Sequence, residues 1–300
     1  MKHAAVVALL AVAGTAAGPQ AGQPARQGLK VFISADMEGV TGVVQPAQLG
    51  PAGFEYARFR EFMTAEVLAA IAGARSAGAT GFVVADSHGN AQNLLIDRLP
   101  DDVEVVRGFP RPLSMMEGID ATFAAAVFIG YHASELTENA VRSHTFSSAR
   151  LLGVRLNGEE VSEGIFNAAI AGHFGVPVAF VSGDRLAVTQ IQGAIPGVEG
   201  AIVKEPLGYH SARTLTPARG QALIEEGVAR ALKRLDSLRP YVLKTPIELE
   251  VGFKLTLDAE RASYIPGLER DGAHAVRGTL PDIIQTVRLM QVLTSLEPPQ

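Results

Sequence analysis

The sequence predicts an α/β protein, a mostly parallel sheet covered by helices, with a smaller α+β domain at the C-terminal end. Three observations point there. Short apolar runs at 31–36, 80–86, 122–131 and 176–184 alternate with segments of helical period, the β-α-β order of a parallel sheet. Past about residue 210 the pattern changes. In PIELEVGFKLTL (246–257), Ile247, Leu249, Val251, Phe253, Leu255 and Leu257 share one face, as in a half-exposed antiparallel strand.

The elements follow in order. VFISAD (31–36) is a short apolar strand. From Glu55 to Ser76, Phe59, Phe62, Met63, Val67, Ala70, Ile71 and Ala74 recur at helical spacing, and Gly78 is placed to stop the helix. TGFVVAD (80–86) and VEVVRG (103–108) read as strands, and TFAAAVFIGY (122–131) contains another after a turn at Gly118–Asp120. LLGVRLNGEEV (151–161) holds Asn157-Gly158 between alternating segments, a hairpin signal because a type I′ turn needs φ > 0 at both central residues. A helix is expected from about Ser162 to His173, then a strand at 176–184. Thr216 before Pro217 marks a helix start, with the helix running to about Leu235. HAVRGTL (274–280) pairs as a second antiparallel strand, and residues 281–293 form a last helix. The predicted division is a signal peptide at 1–17, a linker at 18–29, a metal-binding α/β catalytic domain at 30–210 and a smaller α+β domain at 211–300.

Composition narrows the function. The 300 residues are 47% hydrophobic and 19% charged, which is globular rather than disordered. A net charge of −5 without a basic block argues against nucleic acid as a partner. The absence of cysteine removes disulfides, thiolate metal sites and cysteine nucleophiles. The N-terminus has a short basic region (MKH), the small apolar run AAVVALLAVAGTAAG and a polar Pro/Gly-rich stretch, the layout of a secretory signal peptide with Thr15-Ala16-Ala17 as cleavage site. The run is shorter than the ~20 residues of a comfortable membrane span. The expectation is export to a periplasm or the exterior, with no membrane span in the mature chain.

The strand ends carry the chemistry. Four apolar runs stop at Asp36 and Glu38, at Asp86-Ser87-His88, at His132 and at Asp184. Ligands bind beyond the carboxyl ends of strands in open parallel sheets. Side chains at i and i+2 of an extended segment share a face, so Asp36 and Glu38 would repel unless a cation lay between them. Imidazole with carboxylate suits zinc or a related metal. Each residue also has a structural reading. One acid could cap a helix, Asp86 could cap a turn with Ser87, and His88 and His132 could be satisfied histidines under a loop. Glu163 starts a helix, where the macrodipole favours an acid anyway, and His173 near a helix end is favoured when charged. His144 lies in a segment without clear period; His210 and His274 read as structural, and His3 leaves with the leader.

The combination SADMEG, VADSHGN, PLSMMEGID, IGYHA, SHTF and VSEGIFNAAIAG resembles the D-aminopeptidase family, peptidase family M55, from about Lys30 to about residue 295. The resemblance implies a dinuclear zinc aminopeptidase that hydrolyses short peptides with N-terminal D-residues, such as D-Ala-D-Ala, by a metal-activated water. It places the zinc ligands on Asp36, Glu38, His88, His132 and Glu163, with Asp36 bridging, and the catalytic histidine on His144. It implies a homo-oligomer, a homodecamer in the typical member. Glu117, in SMMEG, is the candidate to receive the substrate's amine. Two departures stand out. The segment between His132 and His144 is a residue longer than in the typical member, and the typical member is cytoplasmic whereas this chain carries a leader. Two other readings of the residues are a two-metal phosphoesterase, for which Arg107, Arg111, Arg142 and Arg150 could supply positive charge, and a non-enzymatic periplasmic metal or peptide binder.

Overall fold

The structure, a computed structural model, describes residues 28–295, so the expected leader and His3 lie outside it. β1 (Leu29–Ala35) leads through an irregular segment to α1 (Tyr56–Ser76) and β2 (Ala79–Asp86). α1 buries the predicted stripe, with Phe62 only partly covered, and stops where Gly78 takes φ +93° and its N–H reaches Arg75 O. β3 (Val103–Val106) and β4 (Ala125–Tyr131) follow. β5 (Leu151–Leu156) and β6 (Glu159–Glu160) form the hairpin, with Asn157 and Gly158 at φ +53° and +85°. Then come α2 (Glu163–His173), β7 (Val178–Asp184), α3 (Arg185–Ala194), β8 (Glu199–Gly208), β9 (Ser211–Thr214) and α4 (Pro217–Lys233). α4 starts at Pro217 as expected, but the Thr216 side chain makes no cap hydrogen bond. β10 (Ile247–Phe253), α5 (Thr256–Ala262), β11 (Leu268–Asp271), β12 (Ala275–Leu280) and α6 (Ile283–Ser295) complete the chain.

Among the described residues the strands form two sheets. The first has the order β3-β2-β1-β4-β7-β8-β9, parallel except for the antiparallel edge strand β9. Its strands alternate between two cores. Val31, Ile33, Val127 and Ile129 pack towards α1 and α4, while Phe32, Ala126 and Phe128 face the core that contains α2. The second sheet, β11-β12-β10-β5-β6, is antiparallel. Its apolar face (Leu249, Val251, Phe253, Val154, Val276) joins the same core as α2 and α6.

The sheets do not part at residue 210. The hairpin β5–β6 leaves the first half of the chain to pair with β10, and Asn157 fastens it there: its N–H donates to Glu248 O (2.8 Å), its Oδ1 accepts from Glu248 N (2.9 Å) and its Nδ2 donates to Lys244 O (3.0 Å). β9 and α4 lie on the first sheet although they follow residue 210. The strand predicted over 246–257 ends at Phe253. Leu255 and Leu257 are exposed, since the alternation outlasts the pairing with β5 and β12.

Candidate metal centre

The first sheet winds outward from β1 to β3 and then, from β4, in the other direction. The crevice between the carboxyl ends of β1 and β4 is therefore the topological switch point, where open α/β sheets bind ligands. Asp36 leaves β1 there and His132 leaves β4. The Asp36–Gly39 turn does not continue the strand. Asp36 N donates to Ile129 O at 2.8 Å, Met37 N turns back to Asp36 Oδ1 at 2.8 Å, and Gly39 N donates to Gly130 O at 2.7 Å. A Cβ on Gly39 would lie 2.0 Å from Tyr131 O, so only glycine permits this backbone crossing. Asp36 and Glu38 thus converge through a turn, not through the shared face of an extended segment.

His88 is aimed by the loop after β2. Asp86 accepts hydrogen bonds from Asn93 N (2.6 Å), Leu94 N (2.8 Å) and Asn93 Nδ2 (2.8 Å), and Asn93 Nδ2 also holds His88 O at 2.6 Å. Asp86 caps this loop, but without Ser87, whose hydroxyl turns to Ser34 and Met115 O. His144 sits between Arg142 and Phe146, which adopt φ of +52° and +61°. Such left-handed conformations cost ~1–3 kcal/mol each in non-glycine residues and persist where the surroundings enforce them. Here Arg142 N donates to Tyr209 O (3.0 Å), His144 N to Ala133 O (3.2 Å) and Phe146 N to Glu163 Oε1 (2.6 Å).

Two triads result, Asp36–Glu38–His88 and His132–His144–Glu163, each with its ligand atoms within 4.8 Å of one another. His88 Nδ1 lies 2.8 Å from Glu38 Oε2 and 3.3 Å from Asp36 Oδ1. His132 Nε2 lies 3.3 Å from Asp36 Oδ2 and 3.5 Å from Glu163 Oε2. Asp36 therefore turns one oxygen to each triad. His144 Nε2 is 3.7 Å from Glu163 Oε1, and its ring stacks on His132 with centroids 4.0 Å apart. All are buried except His144, which is partly exposed.

The far ring nitrogens decide what this donor set fits. His88 Nε2 pairs with Leu49 O (2.7 Å), His132 Nδ1 with Ala133 O (3.0 Å) and His144 Nδ1 with Arg142 O (2.9 Å). A carbonyl only accepts, so each of these nitrogens carries the proton. In the neutral imidazole the near nitrogen then presents a lone pair to carboxylate oxygens, which is repulsive unless a cation lies between. Backbone carbonyls fixing the far nitrogen are the usual outer support of metal-binding histidines. Asp36 Oδ2, Glu38 Oε2 and His132 Nε2 are buried with no hydrogen-bond partner. The residues present fit a divalent metal.

Without metal, protons must take its place. Burial disfavours charge on His88 and His132, but Glu38 with Asp36, and Glu163 with Asp36, outweigh it and raise both imidazoles well above the usual value. Burial likewise opposes ionisation of Glu38 and Glu163. The imidazoles of His88 (for Glu38) and His132 (for Glu163), with His144, overcome it and lower both carboxyls. The imidazoles' contribution to stability is fully present below about pH 6.5 and is lost as pH rises through their raised values; the carboxylates' contribution is present above about pH 4.5 and is lost as pH falls through their lowered values. The metal-free protein is expected to be most stable in mildly acidic solution. Its melting temperature should fall as pH rises from 6.5 towards 9, and zinc should abolish that fall. Thermal melts with and without chelator check this.

The other candidate residues are placed elsewhere. Glu117 Oε2 accepts from Leu113 N at 2.8 Å, and Glu117 does not line the cleft at the triads. Asp184 caps α3, accepting from Leu186 N (2.9 Å) and Ala187 N (3.2 Å). His173, His210 and His274 stand outside both triads. The cleft, about 730 Å³, is walled by Met115, Phe146, Ser147, Ser148 and the end of α6 at Gln291, Thr294 and Ser295; sequence reading gave none of them a role, although Met115 falls in PLSMMEGID and Phe146 in SHTF. Beneath the site lies buried Lys204, which burial lowers to about 8, and Glu66, which burial raises to about 7. The signal missed was a lysine inside the apolar stretch AIVKEP.

A family profile for the D-aminopeptidases of peptidase family M55 matches residues 29–292. A D-aminopeptidase of Bacillus subtilis (strain 168) is 34% identical over 272 residues, spanning 89% of this chain and 97% of that protein. A solved structure described as the Zn-dependent D-aminopeptidase DppA from Bacillus subtilis, a self-compartmentalizing protease, superposes with a TM-score of 0.86 at 33% identity, covering 89% of this chain and 97% of the other. With the profile spanning nearly all the described residues, the chain belongs to the D-aminopeptidase family, peptidase family M55.

Proposed function

We propose that this metallo-aminopeptidase holds two zinc ions per subunit and removes the N-terminal residue from short peptides, with N-terminal D-residues such as D-Ala-D-Ala as its substrates. The observation that carries the reading is Asp36, whose two oxygens face separate triads. Glu38 and His88 complete one ligand set, and His132 and Glu163 the other. When bound, paired zinc supplies Lewis acidity that polarises a carbonyl and brings a water's pKa towards neutrality. His144 is the histidine left to serve the reaction. It is held by Arg142 O and lines the cleft, where it stabilises the oxyanion or passes a proton to the leaving amine. With Glu117 engaged by Leu113, the substrate's amine would be received at the triads, by a carboxylate or by bound metal.

The cleft suits a short peptide in volume. Among the described residues lining it there is no lysine or arginine, so a phosphoester would find no protein cation there, which favours a peptide. The self-compartmentalizing character of the Bacillus subtilis structure supports a homo-oligomer here as well, a decamer by resemblance. Among the described residues no helix is long and apolar enough to cross a membrane. The leader-like residues 1–17 support export and action on cell-wall peptides.

Metal analysis with paired assays tests the reading. The purified protein is expected to carry two zinc ions per subunit and to cleave D-Ala-D-Ala faster than L-Ala-L-Ala. Absence of bound transition metal, with no hydrolysis after zinc is restored, would sink it.

A further inference from the structure

Lys204 lies on β8, where it pairs in register with Asp184 at the end of β7. It is 1% exposed. Its ammonium donates to Glu38 O, to Val40 O (3.1 Å) and to Val43 O (2.7 Å). An ammonium has three donors, and three carbonyls of one turn receive them. That turn begins at the ligands Asp36 and Glu38. The other bonds that hold it are Asp36 N to Ile129 O, Met37 N to Asp36 Oδ1, Gly39 N to Gly130 O, Val40 N to Met37 O, Thr41 N to Glu66 Oε1 and Val43 N to Val40 O.

We propose that Lys204 is a positioning residue for the first metal triad, its ammonium seated in a cradle of three backbone carbonyls that shapes the Asp36–Val43 turn for metal before metal arrives. This inference rests on Asp36 and Glu38 holding a metal ion. Three carbonyl oxygens directed at one buried point repel one another without a cation there, and two of them, Glu38 O and Val43 O, would lack a partner, since Val40 O also accepts from Val43 N. A charge buried this deeply is tolerated only when its donors are matched, as these are. The other end of the lever is fixed. β8 is separated from β1 by β4 and β7, so the side chain ties the ligand turn to a strand three places away in the sheet. Lysine suits the cradle because its charge is compact, whereas the planar fork of arginine does not match three converging carbonyls.

The test combines exchange and metal affinity. In metal-free wild-type protein the amides of Gly39, Val40, Thr41 and Val43 should be protected from hydrogen exchange, because Lys204 and not the metal holds the turn. In K204M that protection should be lost while α1 and the second sheet keep theirs, and zinc affinity in a chelator competition should fall roughly 10–100-fold. In K204A, methylammonium should restore both protection and affinity, an effect that a space-filling role would not produce. Unchanged zinc affinity in K204M, or no response of K204A to methylammonium, overturns the proposal. If K204M does not fold, wild-type exchange decides, since protection of these amides only on zinc loading overturns it. Failure of the metal reading itself shows separately, as wild-type protein that binds no zinc in the same titration.

Discussion

Replacing Asp36 with alanine is expected to empty both triads and to lower peptide hydrolysis by at least ~10³-fold. Loss of one preorganised donor to a developing oxyanion costs ~10²–10³-fold, and this variant loses the activation of water as well. The carboxylate lies between His88 Nδ1 and His132 Nε2, at 3.3 Å from each, so no neighbour substitutes for it. Removing it leaves Glu38 with only His88, and leaves His132, His144 and Glu163 without a carboxylate shared with the other set. Metal analysis should show less than one zinc per subunit. A variant that keeps two ions would remove Asp36 from the bridging position. The fold should survive, because the side chain's hydrogen bond within the protein is the local one from Met37 N.

His144→Ala is expected to leave zinc content unchanged and to lower kcat by ~10²–10⁴-fold, the usual contribution of a positioned acid–base group. Its Nε2 is the ring nitrogen farthest from a carboxylate in the two triads, at 3.7 Å from Glu163, and its ring edge reaches the cleft. Its place beside His132 is fixed by the ring stacking on His132 and by its backbone N–H, which donates to Ala133 O. Because His144 also belongs to the second triad, zinc content is the deciding measurement. Loss of one ion would make it a ligand.

Much of this was readable in the chain because the site is built at strand ends. An apolar run that stops at Asp36, His88 or His132 announces both the strand and the rim it serves. What escaped has physical causes. α3 begins where β7 ends, with Asp184 serving as last strand residue and helix cap, so no turn separates them. β11 buries only Leu268 and carries charge at its other three positions, as an exposed edge strand does. Lys204 should share a face with exposed Ile202 by strict alternation, but the β7–β8 register shifts at Gly183/Asp184 and the lysine is buried. The membership of β5–β6 in the second sheet rests on a pairing partner more than 80 residues away, which no local period reports.

That excursion has a mechanical consequence. Asp36, Glu38 and His88 all leave strands of the first sheet, so their spacing is that of a single rigid body. Glu163 follows closely on the hairpin that is stitched into the second sheet and His144 lies in the segment leading to it, while their companion His132 belongs to the first. The second triad therefore draws on both sheets, whereas the first is built from one, and a single core joins the two sheets beneath them. A substitution that loosens the pairing of β5 with β10 is thus felt at Glu163, three residues past the hairpin, before it is felt at Asp36.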